Sequence, residues 1–176
     1  PWIFNTKGNN ETGVTVNGGT FNADINHQYW AFEVKVSEKL ALRRNSDGTW
    51  TVVPAEAYVV EKSGNNNRKV GYVTLTEAFA VAMDKNYTTV GLSKNITTEN
   101  VFYTIKAGEN VTLDLNGKTL QGTDNTTKNF GLIQNNGTLT VNDTTNRGRM
   151  ELTATVDSDW GRYSAVISNN PGATLT

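Results

Sequence analysis

The sequence predicts an all-β fold, a solenoid of short strands stacked turn on turn, and three observations predict it. One device recurs: two or three apolar residues, an Asn- or Gly-rich corner, then a Thr-rich alternating strand. It is found at Phe102–Gly122, Phe130–Asp143 and Ala165–Thr176, and again at Trp2–Phe21. Strands of three to six residues with period-2 alternation between such corners cannot bury an inner face alone, so they stack on their neighbours. Charged residues make up only 19% of the 176-residue chain, with neutral Asn, Thr and Gly carrying solubility, which suits strands and turns. Finally, one segment alone has convincing helical periodicity.

Taken in order, "WIFNTKGNNETGVTVNGGTF" (Trp2–Phe21) reads as one solenoid turn. Residues Tyr29–Pro54 alternate as strands around "SDGTW", whose Asp-Gly pair supplies the left-handed backbone of a hairpin turn, so a small antiparallel hairpin annex is expected. "EKSGNNNRK" (Glu61–Lys69) is polar and Gly/Asn-rich, the composition of an exposed linker. In "TLTEAFAVAMDKN", Thr74 followed three residues later by Glu77 is a capping box, and Leu75, Phe79, Ala82 and Met83 share a helical face. This helix is expected to cover the first edge of the solenoid. Beyond it, Ile105, Leu113, Leu115, Leu132, Leu139, Val141, Val166 and Leu175 should point inward, and Asn135 and Asn169 fall at equivalent corners where stacked amides can hydrogen-bond along the axis. These boundaries divide the chain into residues 1–62, a linker at 63–69, and 70–176. A β-sandwich of short Thr-rich strands is the alternative.

Composition excludes several functions. There is no Cys, so neither disulfides nor thiolate chemistry can occur, and a single His, His27, excludes a multi-His metal site within one chain. Sixteen basic against seventeen acidic residues, spread without runs, leave a net charge of -1 and no basic face for nucleic acid. No apolar run approaches the roughly 18 residues that span a bilayer. A chain that starts at Pro1 reads as a mature product or a fragment.

"GYVTLTEAFAVAM", "NVTLDLNGKTLQG", "LIQNNGTLTVND" and "ISNNPGATLT", with "VTVNGGTFNADI" and "NSDGTWTV", together resemble a pectate-lyase-like right-handed β-helix domain found in large surface proteins of gut Firmicutes and in phage structural proteins. The resemblance covers nearly the whole chain and implies a right-handed parallel β-helix on an extracellular, cell or virion surface. In the family's usual order the helix and "LDLNGKTL" come first and the "GGTF…DGTWTV" portion last; here that closing portion leads. The chain therefore looks like the tail of one repeat joined to the head of the next, with "NNPGATLT" ready to continue into another coil.

Candidate chemistry is sparse. Glycoside hydrolysis needs two carboxyl groups roughly 5 to 10 Å apart, and Asp114, Asp124, Asp143 and Glu151 read as turn or surface acids, Asp114 pointing outward. Asp157 and Asp159 in "DSDW" are the one pair that could gather around a calcium ion; otherwise no cofactor is expected. Trp160 with Tyr163, and Tyr29 with Trp30, are candidates for stacking on a sugar face, with packing against the hairpin as the alternative, while Trp2 and Trp50 read as packing residues. His27 lacks the Ser or Asp partners of a catalytic base. The expected function is a non-enzymatic structural or adhesion module, with carbohydrate binding or cleavage as the alternative. Its partners would be further copies of itself, paired end to end through Trp2, Val14, Val16 and Phe21 at one edge and Ala173, Thr174, Leu175 and Thr176 at the other, and cell-surface glycans; neither nucleic acid nor membrane insertion is expected.

Overall fold

A computed structural model describes residues 13–26, 34–63, 66–126, 128–154 and 163–176. Strands dominate. They are β1 (Val14–Val16), β2 (Thr20–Phe21), β3 (Val34–Val36), β4 (Leu40–Arg44), β5 (Trp50–Pro54), β6 (Ala57–Ser63) and β7 (Asn66–Tyr72), then helix α1 (Leu75–Asp84), then β8 (Thr89–Leu92), β9 (Ile96–Glu99), β10 (Tyr103–Ile105), β11 (Asn110–Asp114), β12 (Thr119–Asp124), β13 (Phe130–Asn135), β14 (Thr138–Asn142), β15 (Arg149–Ala154), β16 (Ser164–Asn169) and β17 (Thr174–Leu175). The protein is all-β with one helix among the described residues.

From β8 onward each pass of the chain lays down three strands, and each strand pairs in parallel with the one three places later. Register sets like on like. Val90, Leu113 and Val141 are stacked partners, as are Ile96, Leu120 and Met150, and Tyr103, Ile133 and Ile167. The first two members of every such row are buried, while Val141, Met150 and Ile167, in the third pass, are only partly so. A residue between two neighbours in a row is desolvated on both sides, and one at the end of a row on one side only.

The corners follow from the residues that turn there. In "LDLNGK", Asn116 (φ 49°) and Gly117 (φ 73°) take the left-handed backbone that Asn and Gly tolerate best. The Asp114 carboxylate receives the Asn116 N–H at 2.9 Å, and the Asn116 amide reaches back to the Leu92 carbonyl of the previous pass at 3.0 Å. One corner thus closes its own turn and ties itself to its neighbour.

Helix α1 begins as the sequence predicts: Thr74 Oγ1 accepts the Glu77 N–H and the Glu77 carboxylate accepts the Thr74 N–H. Leu75, Ala78, Phe79 and Ala82 are buried, Met83 less so, and the Phe79 ring lies 5.8 Å from that of Tyr103. The helix packs over β6, β8 and β10. It does not itself close the edge of β8, because β6 pairs antiparallel with that edge through Ala57, Tyr58 and Val59.

The N-terminal part departs from expectation in three ways. The described residues of the supposed linker are strand: β6 and β7 form a long antiparallel hairpin in which Glu61 opposes Arg68, so a polar sequence is held by a cross-strand ion pair at 3.2 Å. The β4–β5 hairpin forms, with Gly48 at φ 84°, yet it is no separate annex, since β4 meets β7 in parallel at Ala41 and Gly71. Nor do the described residues of the Trp2–Phe21 stretch, 13–21, add one more turn to the stack. Val14 and Val16 pair with Val34 and Val36 in a two-stranded parallel ladder, and Phe21 pairs antiparallel with Trp50; Trp2 lies outside the described residues. The result is a nine-stranded sheet in the order β17-β14-β11-β8-β6-β7-β4-β5-β2, beside two three-stranded parallel sheets, β10-β13-β16 and β15-β12-β9.

Three phenols make the fold sensitive to alkali. Burial, and secondly the nearby Asp114, push Tyr58 up to about 12; burial, and secondly Glu56, do the same for Tyr103; burial and then Glu61 push Tyr72 above the usual tyrosine range. The unfolded chain loses these protons near pH 10 and the folded chain later, so their contribution is complete below pH 10 and lost as pH rises toward 12. The urea midpoint should fall steeply between pH 10 and 12, and Tyr103→Phe should flatten that fall by about one proton's worth of slope.

Candidate functional site

Of the residues expected to mark assembly edges, Phe21, Thr174 and Leu175 fall at the two ends of the nine-stranded sheet, whereas Val14 and Val16 belong to the separate β1–β3 ladder and Trp2 lies outside the described residues. Phe21 is in β2, the last strand at one end, and Thr174 and Leu175 form β17, the last at the other. Along β17 the backbone is half engaged. Thr174 and Thr176 donate to the carbonyls of Gly137 and Leu139 at 2.8 and 3.0 Å, and the Thr176 carbonyl accepts from Val141 at 2.9 Å. In a parallel ladder alternate residues face alternate neighbours, so Leu175 turns its N–H and C=O away from β14. Neither has a partner among the described residues.

Side chains repeat the pattern. Val111, Leu139 and Leu175 form one row, the first two buried and Leu175 44% exposed. Ala173 sits in the turn before it, its N–H bonded to the Asn170 carbonyl at 3.0 Å.

The corner before β17 carries the expected amide ladder. Asn135, fully buried, donates to Asn169 Oδ1 at 2.6 Å and to the Thr174 carbonyl at 2.8 Å, while its own Oδ1 accepts the Gly137 N–H at 3.1 Å. Asn135 therefore holds its own turn and the next strand together. A second rung, which the sequence reading missed, runs beside it: Asn170 donates to Asn136 Oδ1 at 2.7 Å, and Asn136 to the Ile105 carbonyl at 3.3 Å. The signal was the doubled "NN" in both corners, of which the first Asn alone was assigned. Asn100 and Asn125 form a comparable pair at another corner.

Three of the acids considered for catalysis, Asp114, Asp124 and Asp143, are taken up as corner acceptors. Asp114 is not outward but 6% exposed: alternation fails where the chain turns, and its oxygens accept from the Thr144 N–H at 3.1 Å, the Thr144 hydroxyl at 3.2 Å and the Tyr58 hydroxyl at 3.4 Å. Asp124, fully buried, accepts from the Thr126 N–H at 2.9 Å and the Ser164 hydroxyl at 2.5 Å. Asp143 receives the N–H groups of Gly148 at 2.5 Å and Gly117 at 2.7 Å, and these bonds, the Gly148 one foremost, lower its carboxyl to about 2. Glu151 is exposed and faces Arg149 at 3.7 Å.

Of the aromatic candidates, Tyr163 is described: it is 48% exposed at the start of β16, with its hydroxyl 3.2 Å from that of Ser168 and its N–H donated to Asn129 Oδ1 at 3.0 Å. Tyr29, Trp30 and Trp160, the calcium candidates Asp157 and Asp159, and His27 lie outside the described residues. Among the described residues no cluster of three or more acids or histidines could hold a metal ion, and no helix is long and apolar enough to cross a membrane. Comparison with family models, with curated proteins and with solved structures found no match.

Proposed function

We propose that this chain is a non-enzymatic structural or adhesion module of an extracellular or virion surface, built as a right-handed parallel β-helix and extended by strand pairing between the two ends of its long sheet. Three strands per pass, paired in parallel with the next pass, support the β-helix reading, and right-handed crossovers are the rule for parallel strands. The Asn- and Thr-rich, cysteine-free composition, only 19% charged, supports a surface location. Corner carboxylates whose oxygens are committed to backbone and hydroxyl donors favour a scaffold over a hydrolase.

The observation that carries the proposal is β17: a strand with one face of its backbone unpaired and Leu175 exposed at the end of an otherwise buried row. Its counterpart is β2, at the far end of the same sheet. Pairing β17 of one molecule with β2 of the next joins two different surfaces, so the assembly is head to tail and closes into a ring or grows as a filament. Light scattering with small-angle X-ray scattering should find elongated species in multiples of 19.2 kDa that increase with concentration. Leu175→Lys, which adds charge at an exposed site, should return them to monomer without loss of fold. A monomer at every concentration would sink the assembly reading.

A further inference from the structure

Helix α1 packs on β6, β7, β8 and β11 of the nine-stranded sheet. Beside it, between the helix and Asp24 and Asn26, lies a cleft of about 590 Å³ floored by β4, β5 and β7. Strand periodicity places the lining: Leu42 and Arg44 share a face of β4, Arg44 stands directly opposite Trp50 in the β4–β5 register, and Val70 and Tyr72 share a face of β7. Val81 and Tyr87 form the wall on the helix side. The size suits a small ligand, and the lining combines apolar surface with charged groups of both signs, Asp24, Glu61 and Glu77 against Arg43, Arg44 and Lys85.

Tyr72 is fixed in the cleft. Its hydroxyl donates to Glu61 at 2.6 Å, and the other oxygen of that carboxylate, on a residue 4% exposed, accepts from Arg68 at 3.2 Å. Glu61 is thereby neutralised by its own ion pair. On the helix side Lys85 is 3.0 Å from Asp84, and Glu77 is engaged by the Thr74 N–H. Arg44 differs from these: it is exposed and paired with no acid among the described residues, at the mouth of an aromatic-lined cleft. A guanidinium in that position matches a carboxylate or sulfonate through parallel hydrogen bonds, and a half-buried indole beside it offers a flat apolar surface.

We propose that this cleft binds a small organic anion with a flat ring, an aromatic or alicyclic carboxylate or sulfonate, with the ring on Trp50 and Tyr72 and the anionic group on Arg44. The site lies on the antiparallel part of the sheet, at the opposite end from the exposed β17, and every residue that lines it comes from one chain.

Calorimetric titration of the intact chain with 2-naphthoate, and with the neutral 2-naphthalenemethanol for comparison, tests it. One saturable site per chain is expected, with the acid binding more tightly. Arg44→Gln, at an exposed position, should weaken the acid about ten-fold and leave the alcohol unchanged, since a hydrogen bond to a charged partner is worth that much. Val81→Arg, checked for folding by circular dichroism, should abolish both, and Leu175→Lys should alter neither. Absence of saturable binding, or binding that survives Val81→Arg, would overturn the site. Equal affinity for acid and alcohol, or an Arg44→Gln variant that still prefers the acid, would overturn the ligand class.

Discussion

Replacing Leu113 with alanine should cost about 3 to 4 kcal/mol of stability, in the middle of the range for a fully buried leucine whose surroundings relax only partly. Leu113 is fully buried in β11, between Val90 in the pass before and Val141 in the pass after. Truncation removes contacts with both, so the void lies inside the row and neither neighbour can close it without shifting its own strand. Thermal or urea unfolding with circular dichroism would measure the loss. The contrast is Leu175→Ala at the exposed end of a parallel row, where there is little burial to lose and the change should stay within about 0.5 kcal/mol. Equal effects at the two positions would mean that stacking between passes is not what holds the fold.

Gly71→Ala should be comparably damaging, and in one place. Gly71 is buried in β7 opposite Ala41, and a Cβ there would run into the Leu40 carbonyl oxygen and stand 3.1 Å from the Ala55 methyl. A backbone carbonyl cannot rotate aside as a side chain can, so the strands must part, at about 3 kcal/mol or more. That contact joins the β4–β5–β2 portion to the rest of the sheet. Hydrogen exchange should show protection lost across residues 40–54 and kept across 110–139. Uniform loss, or none, would contradict so local a role.

Much of this architecture was legible in the sequence where each residue's neighbours resemble it. The capping box at Thr74 and Glu77, the corner glycines and the pairing of Asn135 with Asn169 all follow from local chemistry repeated at intervals. Ile105, Leu113, Leu115, Leu132 and Leu139 point inward as alternation requires; Val141 and Val166 are only partly buried and Leu175 exposed, because burial of a row's last member depends on what stacks on it, which alternation does not encode. Asp114 was misread because period 2 ends at a corner. The β6–β7 pairing was hidden by composition: "NNRK" (66–69) has the residues of a loop, and its strand character comes from Glu61, Arg68 and Tyr72 meeting across the ladder, a contact between strands that period-2 alternation does not encode. The cleft was missed for the same reason, since Arg44 and Trp50 become neighbours only when the hairpin closes and α1 stops short of them.

The order of the passes has a consequence for synthesis. From β11 onward every strand lays itself on one already made: β11 on β8, β14 on β11, β17 on β14, with β6, β7 and α1 in place before any of them. A ribosome delivers the chain in that same direction. Each new strand emerges to find its template finished, and the long crossover contacts that slow the folding of most parallel sheets become, for this protein, a sequence of short additions to a growing tip.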